Sequence, residues 1–359
     1  MKFQVLGFFT PWIAYVIITL LHCILPAKKM KGYVRNDESG ELFNYRINGT
    51  YVLTASVFLW LLLGKLELVP YDWLYQVRWE SLIGAIVLGL IFSFIIVLPY
   101  PSTGKVFFAD FWFGRLKNPQ FKNGFIDAKM WLYLIGAVWL ELNVLSFLIH
   151  HWQTHETVNP GYMLGSALLS YFVWDYFTFE KVHLYTYDFI AERVGFKLGF
   201  GCLSFYPYFY AVSLWSTVDL PNPGHPLGLT VLFALVFFSG WALARGANMQ
   251  KYYFKISPDK SFLGIRPIVL SDGKHSLLAS GFWGKSRHIN YLGEITMAAG
   301  IALSAGYPGV LWVWLYPLYY VCLLFTRQVD DDKICRAKYG ELWDSYTSKV
   351  KYRIIPFIF

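Results

Sequence analysis

Apolar stretches of membrane-spanning length recur along this chain, and they constrain its fold more than any other feature. About nine such runs occur, most of them near the roughly 17 to 25 residues that cross a bilayer as a helix: 3–25, 51–69, 82–99, 130–149, 162–179, 196–218, 227–244, 295–306 and 309–325. With 56% hydrophobic and only 15% charged residues, the chain carries more apolar surface than a soluble core of this size can bury. The sequence therefore predicts an all-α, polytopic integral membrane bundle with about nine transmembrane helices.

Basic residues fall almost entirely in alternate loops. The loops 71–80, 150–161 and 219–226 contain a single Lys or Arg, Arg78, whereas the loops between them are strongly basic. By the positive-inside rule, this alternation places the N-terminus outside and the C-terminus in the cytosol. The net charge of +8 thus reports topology and does not predict a nucleic-acid partner. The predicted membrane is the endoplasmic reticulum for a eukaryotic chain and the inner membrane for a bacterial one, and the oligomeric state stays open.

Metal and dinucleotide-fold signatures are weak. The four cysteines include no CxxC pair, and the histidines lack ligand spacing, so neither a disulfide framework nor a metal site is predicted. Gly199, Gly201 and Ser204 approach a GxGxxG pattern, but the third glycine and a preceding strand are missing. A nicotinamide cofactor would therefore have to bind between helices.

Two cytosolic regions, 245–294 and 327–359, are long enough to carry chemistry. The stretch 277–294, LLASGFWGKSRHINYLGE, combines Trp283, Arg287, Asn290 and Tyr291, and topology alone explains its charge but not this mixture. The second region predicts a helix broken near Gly340, with Arg327, Asp331 and Cys335 on one face because they recur every four residues. Such groups suit a large, charged, partly aromatic ligand. For the lysines of these regions, membrane topology is an equally good explanation.

Several polar groups lie in or beside the apolar runs, where ionisable side chains mark function by default. They are Asp175, Glu180, His183, Asp188, Tyr206, Tyr208 and Tyr210. For Tyr206 and Tyr208 we favour a position in the interfacial aromatic belt over a functional role. A structural ion pair with Lys181 or Arg193 is an equal alternative for Asp188. In the first cytosolic loop, the turn signal Ser39-Gly40 within 32–49 predicts a small hairpin or an ordinary interhelical loop.

Four segments together resemble the membrane sterol reductases, a family that includes delta-14 and delta-7 ring reductases, delta-24(28) side-chain reductases and the lamin B receptor. They are 24–49, 244–255, 277–294 and 333–359, with weaker similarity at 186–201 and 205–211. The resemblance implies one domain over 1–359, with N-terminal helices in 1–195. It places a cytosol-facing NADPH pocket and a sterol-access pocket in 196–359, and a sterol substrate that enters from the membrane lipid. The resemblance implies ten crossings, and we expect nine because the family's usual first helix is not recognised in this sequence.

The resemblance also implies the site residues. The predicted cofactor contacts are Lys251, Lys255, Leu278, Trp283, Asn290, Tyr291, Asp331, Cys335 and Tyr346, supported by Arg287, His288 and Arg327. An isolated alkene needs both a proton and a hydride, so a protein acid must protonate one carbon before the other accepts hydride. Tyr210 is the predicted proton donor, with Asp331 poising the proton network or orienting the nicotinamide.

Two departures from the family pattern limit these expectations. Lys255 stands where many relatives carry Arg, and an ammonium cannot grip phosphate in the bidentate manner of a guanidinium. Gly201-Cys202 replaces the Gly-Asp of many ring reductases, which gives a slight lean to the side-chain delta-24(28) bond. The alternative function is a membrane isoprenylcysteine-type carboxyl methyltransferase that uses S-adenosylmethionine. A purely structural role would leave the cofactor motifs unexplained.

Overall fold

The computed structural model describes residues 4–36 and 39–359. Phe3, the start of the first apolar run, and Asp37 and Glu38, inside the predicted hairpin, lie outside the described residues. The chain divides into two compact units, Met1–Asn222 and Pro223–Phe359. The second unit begins later in the chain than the predicted C-terminal half, 196–359, so Tyr210 belongs to the first unit.

The first unit is built from helices around a long, deeply buried central helix, α6. Its helices are α1 (Val5–Ile24), α2 (Gly49–Lys65), α3 (Trp73–Gln76), α4 (Arg78–Val97), α5 (Phe107–Phe113), α6 (Ala128–Thr154), α7 (Pro160–Thr178), α8 (Glu180–His183), α9 (Tyr187–Ile190), α10 (Phe196–Phe200), α11 (Tyr206–Phe209) and α12 (Val212–Thr217). Small residues let α1 and α4 approach closely, since a Cβ on Gly84 would lie 1.9 Å from the Phe8 carbonyl oxygen. The Trp12 indole N–H donates to the Gly84 carbonyl at 2.9 Å.

The predicted apolar run 196–218 is not one helix. A π-helical turn, Gly201–Phe205, separates α10 from α11, and α12 follows after a further break. Pro207 has no N–H, so it cannot donate to the carbonyl of Leu203 four residues earlier. The hydroxyl of Tyr15 on α1 donates to that carbonyl instead, at 2.5 Å. The proline thus removes one bond of the helical ladder next to the π-helical turn, and a distant tyrosine satisfies the carbonyl that it leaves free.

Among the described residues, three two-stranded antiparallel hairpins interrupt the helices. Their strands are β1 (Lys28–Arg35), β2 (Leu42–Ile47), β3 (Gln120–Phe121), β4 (Ile126–Asp127), β5 (Val269–Ser271) and β6 (Ser276–Leu278). The pairing of β1 with β2 confirms the hairpin predicted from the Ser39-Gly40 signal, and Gly40 adopts a φ of 70° that favours glycine. Arg46 on β2 donates to the carbonyls of His22 and Leu25, which fixes the hairpin to the end of α1.

The second unit contains α13 (Leu227–Ile256), α14 (Phe282–Lys285), α15 (Ile289–Ser304), α16 (Leu315–Tyr339) and α17 (Glu341–Lys349). Glycines bring α13 and α15 into close contact: a Cβ on Gly293 would lie 2.5 Å from the Ala244 nitrogen, and one on Gly300 would lie 2.8 Å from the Phe237 nitrogen. Gly340 has a φ of 52° and separates α16 from α17, which confirms the break predicted there. The contacts at Gly293 and Gly300 hold α15 against α13 along most of its length.

Within residues 4–36 and 39–359, four helices are long and apolar enough to span a membrane: α1, α4, α6 and α13. α2 is apolar but shorter. The run 309–325 begins with a 3₁₀ turn, Leu311–Trp314, before α16. The run 295–306 forms the later part of α15. A largely helical membrane protein is therefore supported, while the number nine stays a prediction.

Candidate functional site

The start of α15 is fastened to the C-terminal tail by backbone hydrogen bonds. The Arg287 N–H donates to the Tyr352 carbonyl at 3.0 Å, and the His288 N–H donates to the Arg353 carbonyl at 2.8 Å. The Ser286 hydroxyl contacts the carbonyls of Arg353 and Ile354 at 2.7 and 3.0 Å. The RHINY motif and the tail motif, far apart in sequence, thus form one structural unit.

Trp283 lies between α13 and α17. Its indole N–H donates to the Ala247 carbonyl at 2.8 Å, and the Tyr346 hydroxyl donates to the Trp283 carbonyl at 2.9 Å. The Lys251 ammonium lies 5.5 Å from the centre of the Trp283 ring, within the range of a cation–π contact. The structure therefore brings together three of the predicted cofactor residues, Lys251, Trp283 and Tyr346.

Asp331 lies beside the first turn of α15. One of its carboxylate oxygens accepts a hydrogen bond from the Tyr291 hydroxyl at 2.5 Å. The His288 Nδ1 is 3.6 Å from the same oxygen, and the His288 ring stacks on Tyr291 with centroids 5.0 Å apart. Asp332, the next residue on α16, lies 3.8 Å from both the Arg287 and the Arg353 guanidinium. The two aspartates thus face the RHINY motif.

The remaining predicted cofactor residues lie around this group. Leu278 ends β6 and is buried, and Cys335 packs against the buried cluster of Ala279, Trp343, Tyr346 and Val350. Lys255 lies one turn beyond Lys251 on α13, with its ammonium 5.9 Å from the Phe254 ring. Arg327 lies one turn before Asp331 on α16.

Five buried polar atoms at this place have no hydrogen-bond partner within the part of the chain that the structure describes. They are Arg287 Nε, His288 Nε2, Asn290 Oδ1, Gln328 Oε1 and Asp332 Oδ1. All five belong to the start of α15 and the facing segment of α16, hereafter the α15–α16 site. Other such atoms are spread along the first unit, from Ser56 to Trp215. Each buried polar atom without a partner costs about 1 to 3 kcal/mol, so a cluster of five indicates a place built for a polar ligand.

The potential of the α15–α16 site is positive. Burial, together with the nearby charges of Arg287, Lys251 and Arg353, lowers the pKa of His288 to about 3. His288 is therefore neutral at physiological pH. Burial also raises the pKa of the Cys335 thiol to about 11 and raises that of Tyr346, so both stay protonated. The positive charge that disfavours imidazolium favours an anionic ligand.

Tyr210 lies at the end of α11 in the first unit. Its half-buried ring packs 4.5 Å from Tyr206 and 6.4 Å from Phe172, measured between ring centres. Tyr208, two residues earlier, is buried, and its hydroxyl contacts the Ser81 hydroxyl at 2.7 Å and accepts from the Trp139 indole at 2.9 Å. We call these three residues, with Asn143, the Tyr208 network. The interfacial position predicted for Tyr208 is wrong, because its hydroxyl is hydrogen-bonded inside the unit.

Comparison with known proteins identifies the family. The family model for ergosterol biosynthesis ERG4/ERG24 matches residues 3–359. The chain belongs to the ERG4/ERG24 family. This confirms the resemblance to sterol reductases, and with the four long apolar helices it supports an integral membrane protein.

Three similar relatives carry the same name, delta(14)-sterol reductase. The protein from Arabidopsis thaliana is 32% identical, over 96% of this chain and 94% of its own length. The mouse protein TM7SF2 is 32% identical over 94% of this chain and 82% of its own length. The protein from the bacterium Methylotuvimicrobium alcaliphilum is 31% identical over 89% and 76%, respectively. The similarity therefore covers both units.

The site in this ERG4/ERG24 chain includes residues that sequence reasoning missed. Gln328 and Asp332 complete a second row on α16, four residues apart and next to the predicted Arg327 and Asp331. That spacing was a usable signal. No spacing pattern in the sequence indicates that Arg353 and the carbonyls of the tail belong to the site. They reach it through backbone hydrogen bonds between distant segments.

Proposed function

We propose that this ERG4/ERG24-family protein reduces a carbon–carbon double bond of a sterol, with NADPH as the hydride source. We further propose the delta-14 ring bond as the bond reduced, because the relatives above are named for it. The lean toward the side-chain delta-24(28) bond gains no support from them. That preference depended on the pair Gly201-Cys202. In the structure, Cys202 is buried in the π-helical turn.

The observation that carries the proposal is the α15–α16 site. Its five unpartnered atoms include acceptors, on Asn290, Gln328 and Asp332, and a cationic donor, on Arg287. A simple phosphate would match only the donor. NADPH matches both, because it combines phosphate oxygens with hydroxyl and carboxamide N–H or O–H groups. The residues present therefore fit this cofactor.

Roles for the individual residues follow from their chemistry. Lys251, Lys255, Arg287 and Arg327 would hold phosphate groups by charge, and Arg353 adds to the same positive field. Asn290 and Gln328 suit the carboxamide or ribose hydroxyls. The walls would be Leu278, Trp283, Cys335 and Tyr346. When bound, NADPH supplies the hydride that the alkene requires.

Asp331 is proposed to act through its neighbours. Its carboxylate fixes the Tyr291 hydroxyl, and the neutral His288 ring lies flat against Tyr291. A neutral imidazole in this place orients polar groups without adding charge. Asp331 thus holds the Tyr291–His288 pair in one geometry, which keeps the floor of the site preorganised.

Tyr210 is the proposed proton donor. Its hydroxyl proton passes to one alkene carbon, the C=C π pair forms the new C–H bond, and the other carbon becomes a tertiary cation that accepts hydride. The phenolate regains its proton from water. The facing ring of Tyr206, 4.5 Å away, offers an aromatic face that tolerates positive charge.

The methyltransferase alternative is not favoured. S-adenosylmethionine carries a sulfonium cation and no phosphate, so the positive field at Lys251, Arg287 and Arg353 gives it little advantage. Stabilisation of the purified protein separates the two ligands, because a ligand at 100 times its Kd adds about 2.7 kcal/mol. We expect stabilisation by NADPH and none by S-adenosylmethionine.

The deciding experiment uses NADPH deuterated at C4 of the nicotinamide. Membranes that contain the protein are incubated with it and with delta-14, delta-7 and delta-24(28) sterols, and mass spectrometry then locates the deuterium. We expect deuterium in the delta-14 product. Deuterium only in another product would overturn the bond assignment, and none in any product despite NADPH binding would overturn sterol reduction. The proposed membrane is the endoplasmic reticulum or, in a bacterium, the inner membrane, with the C-terminus in the cytosol.

A further inference from the structure

The short helix α5, FFADFWF, exposes an unusual amount of aromatic surface for a segment between two spans. Phe108 is 81% exposed, and Phe107, Trp112 and Phe113 are each nearly half exposed. Val106, just before the helix, is also exposed. Exposed aromatic clusters of this kind indicate a binding surface.

The single acidic residue of α5 points away from this surface. Asp110 is buried and accepts hydrogen bonds from the Ser102 hydroxyl at 2.8 Å and from the Thr103 hydroxyl at 2.5 Å. The Arg115 guanidinium binds the same carboxylate at 3.1 Å. These bonds fix the rotation of α5, so Phe108 and Trp112, four residues apart, share its outer face. The outer face carries no negative charge.

α5 is also tied to the end of a membrane-spanning helix. Arg115 donates to the carbonyl of Val97, the last residue of α4, at 3.2 Å. The Phe111 ring packs 4.9 Å from Phe94 on the last turns of α4. Phe94, Ile95 and Leu98 are themselves exposed, as lipid-facing residues of a span are. The aromatic face of α5 therefore continues the lipid-facing side of α4 at the point where the span ends.

We propose that α5 lies in the membrane interface, with Phe107, Phe108 and Trp112 inserted at the boundary between headgroups and acyl chains. Phe and Trp on one face and basic residues nearby are typical of interfacial helices. Lys105 and Lys117 flank α5 and are exposed, so they match anionic headgroups. We propose that lipid covers this surface. The test must distinguish lipid from a second copy of the protein.

α5 also connects the interface to the segment that carries Tyr210. The rings of Phe111 and Trp112 pack on the ring of Phe196, which is the first residue of α10. The distances between ring centres are 5.5 and 5.4 Å, respectively. The Val194 N–H donates to the Leu116 carbonyl at 2.8 Å. Anchoring of α5 in lipid therefore fixes the beginning of the α10–α11 segment relative to the bilayer.

The test places the photoreactive amino acid benzoylphenylalanine at position 108 of the full chain, in vesicles of phosphatidylcholine and phosphatidylglycerol. Trypsin cleavage after Lys105 and Arg115 isolates α5, and mass spectrometry identifies what is attached to it. Position 95 on α4 is the lipid-facing control, and position 274 in the β5–β6 turn is the solvent-facing control. Position 112 serves if the 108 variant does not elute as a folded protein.

We expect lipid adducts at position 108 comparable to those at position 95, and about tenfold above those at position 274, because interfacial side chains contact acyl chains directly. Protein dimers cross-linked through position 108 would overturn the proposal and assign the face to a second copy. Absence of lipid adducts at 108 while position 95 is labelled would overturn it equally.

Discussion

Two groups of buried polar side chains, one in each unit, differ in how their hydrogen bonds are satisfied. In the Tyr208 network, the hydroxyl of Tyr208 has partners in Ser81 and Trp139, and the Asn143 amide donates to the Trp139 carbonyl at 3.0 Å. In the α15–α16 site, five buried polar atoms have no partner among the described residues. The first arrangement fixes helices against each other. The second is the proposed ligand site, and its unpartnered atoms should lower stability until a ligand binds.

This difference allows the effect of a mutation on stability to be distinguished from its effect on ligand binding. Removal of a group from a satisfied network should lower stability and leave ligand binding intact. Removal of an unpartnered group from a ligand site should do the opposite, because the buried group costs free energy in the unliganded protein. A residue that only takes part in the chemistry should change neither quantity.

Tyr210 should give the largest effect, and it should appear in turnover alone. Tyr210→Phe is expected to lower the rate of sterol reduction by about 10² to 10⁴, the range for loss of a general acid. NADPH should stabilise the variant as it does the native protein. The neighbouring Tyr206→Phe is the matched control and should keep most activity. Near-normal turnover of Tyr210→Phe with a confirmed sterol would show that another group donates the proton.

Tyr208→Phe tests the satisfied network. The change leaves the buried Trp139 indole N–H without its acceptor, so the free energy of unfolding should fall by about 2 kcal/mol. Thermal unfolding in detergent measures this loss, and the Kd for NADPH should not change. Tyr51→Phe, at an exposed position on α2, is the control and should be neutral. A large loss of NADPH affinity in Tyr208→Phe would contradict the distinction between the two regions.

Gln328→Met tests the unpartnered site with a side chain of similar shape. Its buried Oε1 disappears, so the ligand-free protein should become more stable by about 1 kcal/mol. Affinity for NADPH should fall about tenfold, which corresponds to 1.4 kcal/mol. Gln76→Met, on the exposed end of α3, should change neither quantity. Destabilisation of Gln328→Met without any change in NADPH affinity would mean that Gln328 is a packing residue.

The parts of this molecule that follow local rules were predictable from sequence. The Ser39-Gly40 turn gave the β1–β2 hairpin, and Gly340 gave the break between α16 and α17. The spacing of Arg327, Asp331 and Cys335 placed them on one helix. In each case the deciding interaction lies within a few residues of the signal.

Other features depend on contacts between distant segments. Apolar character predicted one helix over 196–218, but a π-helical turn and a break before α12 divide it. Pro207 leaves the carbonyl of Leu203 free, and Tyr15 satisfies that carbonyl. Hydropathy measures the apolar character of a run, but it does not show which groups form hydrogen bonds with its backbone carbonyls. Likewise, Tyr208 resembles a belt residue until its partners Ser81 and Trp139 are known. Partners of this kind are set by tertiary packing.

The smallest effect concerns pH and again distinguishes the α15–α16 site. The pKa of His288 falls from an ordinary 6.5 to about 3 in the folded protein, through burial and through Arg287, Lys251 and Arg353. Asp331, 3.6 Å from Nδ1, is the acidic group that faces it. Between these two pKa values the unfolded chain binds a proton that the folded chain does not, so stability falls as the pH falls.

Between pH 7 and pH 6 this linkage amounts to about 0.7 kcal/mol for a single histidine with a normal unfolded pKa. His288→Gln should remove that part of the pH dependence, as measured by thermal unfolding without NADPH. Gln328→Met, which removes no titratable group, should leave the pH dependence as it is in the native protein. If His288→Gln and the native protein lose stability equally between pH 7 and pH 6, His288 is not held neutral by its surroundings. The positive field inferred for the α15–α16 site would then be too weak to select an anionic ligand.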